Sequence, residues 1–107
     1  MTQEPDVVQQ IIKFVISKIS PERIILFGSY ARGDSSKSSD IDILILIKNL
    51  VNERRVTSIL YKELLQENIS VSVDFLAVDY DNYEIVKNKI GYIYETIDQE
   101  GKVLYEK

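Results

Sequence analysis

The chain has 107 residues, of which 45% are hydrophobic and 28% are charged, so we expect one globular domain over residues 1–107. It contains no cysteine and no histidine, which excludes disulfides, cysteine-based zinc sites, thiol nucleophiles and imidazole general bases. Seventeen acidic residues against 13 basic ones give a net charge of −4, which argues against stable binding to a nucleic-acid backbone.

The N-terminal residues are acidic and lack the basic start and apolar stretch of a secretion signal. The longest uninterrupted apolar run, from Ile43 to Ile47, is far too short for a membrane span. We therefore expect a cytoplasmic protein with no membrane partner. A domain of this size has a modest core, so a homo-oligomer or a tightly held protein partner would add stability.

Apolar residues at helical spacing predict an amphipathic helix over residues 5–19, with Pro5 in its first turn. Residues 24–27 are wholly apolar and predict a short strand that ends at Gly28. The small, polar residues 28–39 predict a loop that contains at most one helical turn. A second strand follows from Ile41 to Ile47, apolar except for Asp42.

Asn52 is predicted to cap a helix that runs to about Gln66. Four apolar residues are expected on the inner face of this helix: Val56, Ile59, Leu60 and Leu64. Residues 71–78 predict a third strand, in which the odd positions are apolar and the even positions turn apolar only after Asp74.

The C-terminal third predicts two helices, over residues 79–89 with Asp79 as a candidate N-cap, and over residues 92–99 from Tyr92, separated near Gly91. Gly101 ends this helical region, and residues 102–105 predict a short final strand. The expected fold class is α+β, with a small mixed β-sheet and helices packed mainly on one face.

Three aspartates occur in or beside these strands, where aspartate is uncommon. Asp40 and Asp42 are two residues apart at the start of the second strand and therefore project from the same face. Asp74 lies inside the third strand. If the two strands are neighbours, the three carboxylates converge, and their mutual repulsion calls for a cation, for which Mg²⁺ is the natural candidate. Each aspartate by itself could instead cap a turn or face solvent.

Gly28 and Ser29 follow the first strand directly and offer backbone N–H groups and a hydroxyl of the kind that bind phosphate. A strand followed by glycine is common, so the signal gains weight only from the nearby Asp40 and Asp42. Arg32 in the same loop suits bidentate phosphate binding but is equally consistent with a surface arginine. Lys37 is expected to be solvated.

Together, the residues Gly28-Ser29-Tyr30-Ala31-Arg32-Gly33, Ser39-Asp40-Ile41-Asp42-Ile43-Leu44 and Asp74 resemble the signature of the polymerase-beta-type nucleotidyltransferase superfamily. More narrowly, the chain resembles the minimal nucleotidyltransferases (MNT), antitoxins that occur in prokaryotes beside HEPN-domain proteins. The resemblance covers nearly the whole chain and implies a nucleotidyltransferase fold.

The resemblance also implies roles for individual residues. Gly28 and Ser29 would hold the β- and γ-phosphates of ATP, and Asp40 and Asp42 would bind two Mg²⁺ ions that bridge those phosphates. Asp74 would complete the second metal site and help to activate the incoming hydroxyl. Two metals in such a site can stabilise the attacking and leaving oxygens of an in-line displacement.

The activity that the resemblance implies is transfer of AMP from ATP to a tyrosine hydroxyl of a cognate HEPN RNase toxin, which silences the toxin. Larger members of the superfamily carry a further helical domain for the acceptor, and we expect a protein partner to present the acceptor here. Two alternatives remain open: an antitoxin that neutralises its partner only by binding, and nucleotidylation of a small molecule such as an aminoglycoside.

Overall fold

The computed structural model describes residues 6–36, 38–89 and 93–107. Pro5, Lys37, Gly91 and Tyr92, for which the sequence makes predictions, lie outside these ranges. The described helices are α1 (Asp6–Lys18), α2 (Ser29–Arg32), α3 (Glu53–Leu64), α4 (Tyr80–Val86) and α5 (Ile93–Glu100). The described strands are β1 (Arg23–Phe27), β2 (Ile41–Ile47), β3 (Val73–Asp79) and β4 (Lys102–Glu106).

These elements agree with the predicted ones, with small shifts at their ends. Helix α3 stops at Leu64, because the N–H groups of Gln66 and Glu67 donate to carbonyls three residues back, at 3.1 and 3.0 Å, which forms a tighter turn. Strand β3 starts at Val73, two residues later than predicted.

Two predicted helix caps are present in the structure. The Asn52 side chain accepts a hydrogen bond from the N–H of Arg55 at 3.0 Å and caps α3. The Asp79 carboxylate accepts from the N–H of Asn82 and from that of Leu50, each at 3.1 Å. Asp79 therefore caps α4 and also fastens the end of β3 to the loop that follows β2.

The four strands form one mixed sheet in the order β3-β2-β1-β4. Strand β1 is antiparallel to both β2 and β4, and β2 is parallel to β3. The end of β1 and the starts of β2 and β3 therefore meet at the same end of the sheet. This end carries the loop after Gly28 and all three of the singled-out aspartates.

One face of the sheet packs against α1 and α3 in a core that contains the odd-numbered residues of β2 and β3. Leu60 is fully buried there, whereas Ile59 is 43% exposed, so the prediction that Ile59 lies on the inner face was wrong. Val56, Leu60 and Leu64 form a stripe at i, i+4 spacing that faces the sheet, and Ile59 lies outside that stripe.

The other face of the sheet packs against α4 and α5, which are shorter than α1 and α3. Its core consists of Ile25, Leu44, Leu46, Val78, Tyr83 and Ile97. The α+β class and the mixed sheet are confirmed. The sequence predicts helices mainly on one face, and the structure has the two longest helices, α1 and α3, on one face and the shorter α4 and α5 on the other. Helices α4 and α5 cover the second face because the even-numbered residues of β2 and β3 become apolar beyond Asp42 and Asp74. None of the described helices has the length and apolar character needed to cross a membrane.

Candidate active site

The parallel register of β2 and β3 places Asp42 directly opposite Asp74. Each is the second residue of its strand, and the odd-numbered residues beside them point into the core under α1 and α3. Because side chains alternate along a strand, both carboxylates lie on the opposite face. Asp40 comes two residues before Asp42 and is exposed, as is Asp74, whereas Asp42 is half-buried. The structure thus brings Asp42 and Asp74 together, with Asp40 beside them.

The three carboxylates affect one another electrostatically. Burial raises the pKa of the Asp42 carboxyl above its ordinary value, and repulsion from Asp74 and Asp40 raises this pKa further. The positive charge of Arg32 has the opposite but smaller effect on the same pKa. A negative charge on Asp42 is therefore unfavourable in the folded chain unless a cation offsets it.

A hard divalent cation fits the chemistry of these donors, since Mg²⁺ prefers carboxylate oxygens and takes phosphate oxygens and waters as further ligands. The facing carboxylates of Asp42 and Asp74 supply a pair of such donors at an accessible end of the sheet. Among the described residues, no three acidic side chains lie close enough together to hold a metal ion as they stand. Asp40 would have to turn towards the pair in order to serve as a third ligand.

Gly28 joins this pair to the end of β1. Its backbone angles, φ 75° and ψ −158°, fall in a region that is accessible essentially only to glycine. A Cβ atom added at Gly28 would overlap the Asp42 carboxylate. Glycine is therefore needed here both for the conformation of the chain and for the close approach of its backbone to Asp42.

The single-turn helix α2 begins directly after Gly28. The N–H groups of Ala31 and Arg32 both donate to the Gly28 carbonyl, at 3.1 Å. The N–H groups of Ser29 and Tyr30 precede them and, as the first of a helix, have no acceptor within that helix. They follow Gly28, whose backbone closely approaches the Asp42 carboxylate, and helix-starting N–H groups of this kind suit an anionic group.

Arg32 does not contact the acid pair directly. Its guanidinium lies 3.3 Å from the Asp34 carboxylate and 3.9 Å from that of Glu100, and its side chain is 45% exposed. Exposed ion pairs of this kind are weak, so they would not prevent Arg32 from turning towards a phosphate. Its influence on the Asp42 pKa shows that it is within electrostatic reach, and its phosphate-binding role stays a prediction.

One contact beside Asp74 was not predicted from the sequence. The N–H of Phe75 donates a hydrogen bond of 2.8 Å to the hydroxyl of Tyr61 on α3. The two residues are 14 positions apart, and Tyr61 lies outside the apolar stripe of its helix. No local pattern therefore distinguishes it from a solvent-facing tyrosine.

The raised pKa of Asp42 predicts how the stability of the chain depends on pH. Because the folded-state pKa exceeds the unfolded one, the contribution of Asp42 to stability is fully present below the unfolded pKa and is lost as the pH rises through the folded pKa. The variant Asp42→Asn, which cannot ionise, should therefore be more stable than the wild type at neutral pH. This difference should shrink as the pH falls towards 3.8, the ordinary value for aspartate.

Urea unfolding of both chains, without divalent cations and over a series of pH values, would measure this difference. If the two unfolding free energies differ by the same amount at neutral and at acid pH, Asp42 does not have the raised pKa assigned to it.

Comparison with known families and sequences places residues 8–104 within a family described as the nucleotidyltransferase domain. Two proteins of Methanocaldococcus jannaschii, each named "putative protein adenylyltransferase", are similar in sequence. One is 42% identical over 60 residues, which make up 53% of this chain and 61% of that protein, so this chain spans less than two thirds of its length. The other is 36% identical over 85 residues, which make up 78% of each.

Solved structures show the same fold. A chain from the crystal structure of a toxin–antitoxin with AMP-PNP has a TM-score of 0.63 and 24% identity, covering 92% of this chain and 73% of that one. A "putative nucleotidyltransferase" from Sulfolobus solfataricus has a TM-score of 0.61 and 24% identity, covering 95% of this chain and 79% of that one. At this level of identity the likeness concerns the fold alone.

Proposed function

The chain belongs to the nucleotidyltransferase domain family, and from this premise we propose that it transfers AMP from ATP to a hydroxyl group of a partner protein and releases pyrophosphate. The observation that carries the proposal is the facing pair Asp42 and Asp74 beside the close-packed Gly28 turn. The similarity to two proteins named for protein adenylyltransferase activity favours a protein as the acceptor. The structural neighbour with AMP-PNP favours an adenine nucleotide as the donor.

In this proposal Asp40, Asp42 and Asp74 hold two Mg²⁺ ions. The ions, when bound, supply positive charge that stabilises the attacking and leaving oxygens of an in-line displacement. Asp42 suits a central ligand because it is half-buried and because both of the other carboxylates act on its pKa. Its unfavourable charge in the free chain becomes an attractive interaction with a cation.

The first N–H groups of α2 and the Ser29 hydroxyl bind the β- and γ-phosphates, where the Gly28 backbone approaches the acid pair. Arg32 swings from its exposed ion pairs to the same phosphates. These contacts orient the α-phosphorus towards Asp74.

The exposed Asp74 carboxylate helps to activate the acceptor hydroxyl, whose proton it takes and passes to solvent. The hydroxyl oxygen bonds to the α-phosphorus, and the bond from that phosphorus to the oxygen bridging to the β-phosphate breaks. Pyrophosphate leaves with the electron pair of the broken bond. The product is a phosphodiester between AMP and the acceptor.

We further propose that the acceptor is a tyrosine of a HEPN-domain RNase toxin and that the reaction takes place in the cytoplasm. The resemblance to minimal nucleotidyltransferases and a structural neighbour from a toxin–antitoxin complex support this partner. An added AMP would bring negative charge and bulk to a surface that must bind RNA, and so would inactivate the toxin. The net charge of −4 also suits association with a basic, RNA-binding partner.

The test combines the chain, a candidate HEPN-domain partner from the same organism, Mg²⁺ and ATP, followed by mass spectrometry of the partner. We expect a mass gain of one or more AMP groups on a tyrosine, which should vanish when Mg²⁺ is omitted. The variant with both Asp40→Asn and Asp42→Asn should neither modify the partner nor suppress its RNase activity.

Two other results would contradict the proposal, each in favour of a different function. If the double variant suppresses the RNase as well as the wild type and no mass is gained, the chain neutralises its partner by binding alone. If pyrophosphate is released with a small hydroxylated compound such as an aminoglycoside and not with the partner, the acceptor is a small molecule.

A further inference from the structure

Strand β3 is an edge strand of the described sheet, and it carries one member of the acid pair on that edge. It pairs with β2 on one side, and no other described strand pairs with it on the other side. Like charges that face each other directly across two strands are destabilising, and Asp74 faces Asp42 in this way. The repulsion therefore acts to push β3 away from β2 at the position where the site must stay closed.

Tyr61 holds β3 from its outer side, one residue after Asp74. The N–H of Phe75 donates to the Tyr61 hydroxyl at 2.8 Å, and the two rings pack with their centroids 5.2 Å apart at an angle of 57°. The Phe75 N–H points away from β2, since its partner lies on α3. The contact thus uses a backbone group that the β2–β3 ladder does not engage.

The position of Tyr61 is itself fixed by the core. The preceding residue, Leu60, is fully buried between α3 and the sheet. Tyr61 therefore extends from a helix that is anchored in a core shared with α1 as well as with β3. A strand held on both sides at this point can keep Asp74 opposite Asp42 despite their repulsion.

From this geometry we infer that Tyr61 is a positioning residue, which keeps β3 in place so that Asp74 and Asp42 can bind a divalent cation together. The inference rests on the proposed function, because it concerns the same acid pair. It assigns to the hydroxyl of Tyr61 a role that the ring alone cannot fill.

The test compares Tyr61→Phe, which removes the hydroxyl and keeps the ring, with the control Tyr80→Phe. The Tyr80 hydroxyl also makes one hydrogen bond, from Arg23 at 3.4 Å, but Tyr80 follows β3 at the opposite end of the sheet. Mn²⁺ binding to each chain is measured by electron paramagnetic resonance in the presence of AMP-PNP. Amide hydrogen exchange at Phe75 and steady-state transfer to the partner, which gives kcat and the KM for ATP, are measured in parallel.

We expect Tyr61→Phe to weaken Mn²⁺ binding by about three- to tenfold, the range that the net loss of one hydrogen bond allows. Exchange at the Phe75 amide should be faster, and kcat should fall while the KM for ATP changes little. Tyr80→Phe should bind Mn²⁺ like the wild type. The split between kcat and KM separates positioning of the acid pair from a general loosening of the fold.

The inference is overturned if Tyr61→Phe binds Mn²⁺ as tightly as the wild type, or if Tyr80→Phe weakens binding equally. A wild-type chain that binds Mn²⁺ but transfers no AMP contradicts the proposed function and leaves the role of Tyr61 in cation binding intact. A wild-type chain that binds no Mn²⁺ contradicts both.

Discussion

Replacing Asp42 with asparagine is expected to slow AMP transfer by about 10³-fold or more while leaving the fold intact. Asparagine keeps the shape of the side chain and one carbonyl oxygen, but it removes the negative charge at the centre of the proposed cation site. Cations at such sites contribute several kcal/mol of charge stabilisation to the transition state. A loss of about 4 kcal/mol corresponds to a factor of about 10³ in rate.

The loss of transfer in Asp42→Asn should not come from a loss of stability. Because repulsion and burial disfavour the ionised carboxylate of Asp42, the asparagine variant should be at least as stable as the wild type at neutral pH. Any loss of transfer therefore cannot be ascribed to unfolding. Asp81→Asn is the matched control, since Asp81 is exposed in the first turn of α4, at the other end of the sheet.

Single-turnover transfer to the HEPN-domain partner measures the rate, and near-ultraviolet circular dichroism verifies the fold. Asp81→Asn should transfer AMP at the wild-type rate. If Asp42→Asn remains within about tenfold of the wild type, the charge at position 42 does not hold a catalytic cation, because removing it would then cost only about 1.4 kcal/mol.

The strands and their faces could be predicted from the sequence because local patterns determine them. The apolar run from Ile41 to Ile47 is interrupted only by Asp42, and alternation along the strand then fixes the face on which that carboxylate lies. The sequence does not show whether β2 and β3 are neighbouring strands, so the convergence of the aspartates could be predicted only on that condition. Only the three-dimensional register places Asp74 directly opposite Asp42.

Other features depend on contacts between distant residues and left no local signal. The exposure of Ile59 follows from the rotation of α3 about its own axis, which turns the stripe of Val56, Leu60 and Leu64 towards the sheet and which the amphipathic pattern alone does not fix. The bond from Phe75 to Tyr61 joins a helix and a strand through a residue outside the apolar stripe. The sequence singles out Gly28 as part of a candidate phosphate-binding turn, but it does not indicate that the backbone of this residue approaches the Asp42 carboxylate.

Gly28→Ala is expected to impair both stability and transfer. Alanine at φ 75° and ψ −158° would store about 1–3 kcal/mol of backbone strain. Its Cβ would also overlap the Asp42 carboxylate, so that side chain or the backbone of the turn must move. A shift of about 1 Å in a reacting group can cost about 10²-fold in rate, and we expect transfer to fall by at least that factor.

Gly33→Ala is the control for backbone strain alone. Gly33 also has a positive φ, 81°, but a Cβ added there meets nothing within 4 Å. Gly33→Ala should destabilise the chain by about 1–2 kcal/mol, which is the cost of a left-handed conformation. Transfer by this variant should stay near the wild-type rate. Equal stability and equal activity in the two variants would mean that the close approach of Gly28 to Asp42 has no role.

A double-mutant cycle separates the two effects at Gly28. In an Asp42→Ala background the carboxylate is gone, and the Cβ atom of residue 42 would lie 3.5 Å from that of an alanine at position 28, which is an ordinary contact. Gly28→Ala should then cost only its backbone strain of about 1–3 kcal/mol, when the free energy of unfolding is measured in urea. The difference between the two backgrounds is the free energy of forcing the turn and the carboxylate apart.

If Gly28→Ala costs the same with and without the carboxylate, the turn does not depend on Asp42, and the proposed link between the phosphate-binding loop and the acid pair fails.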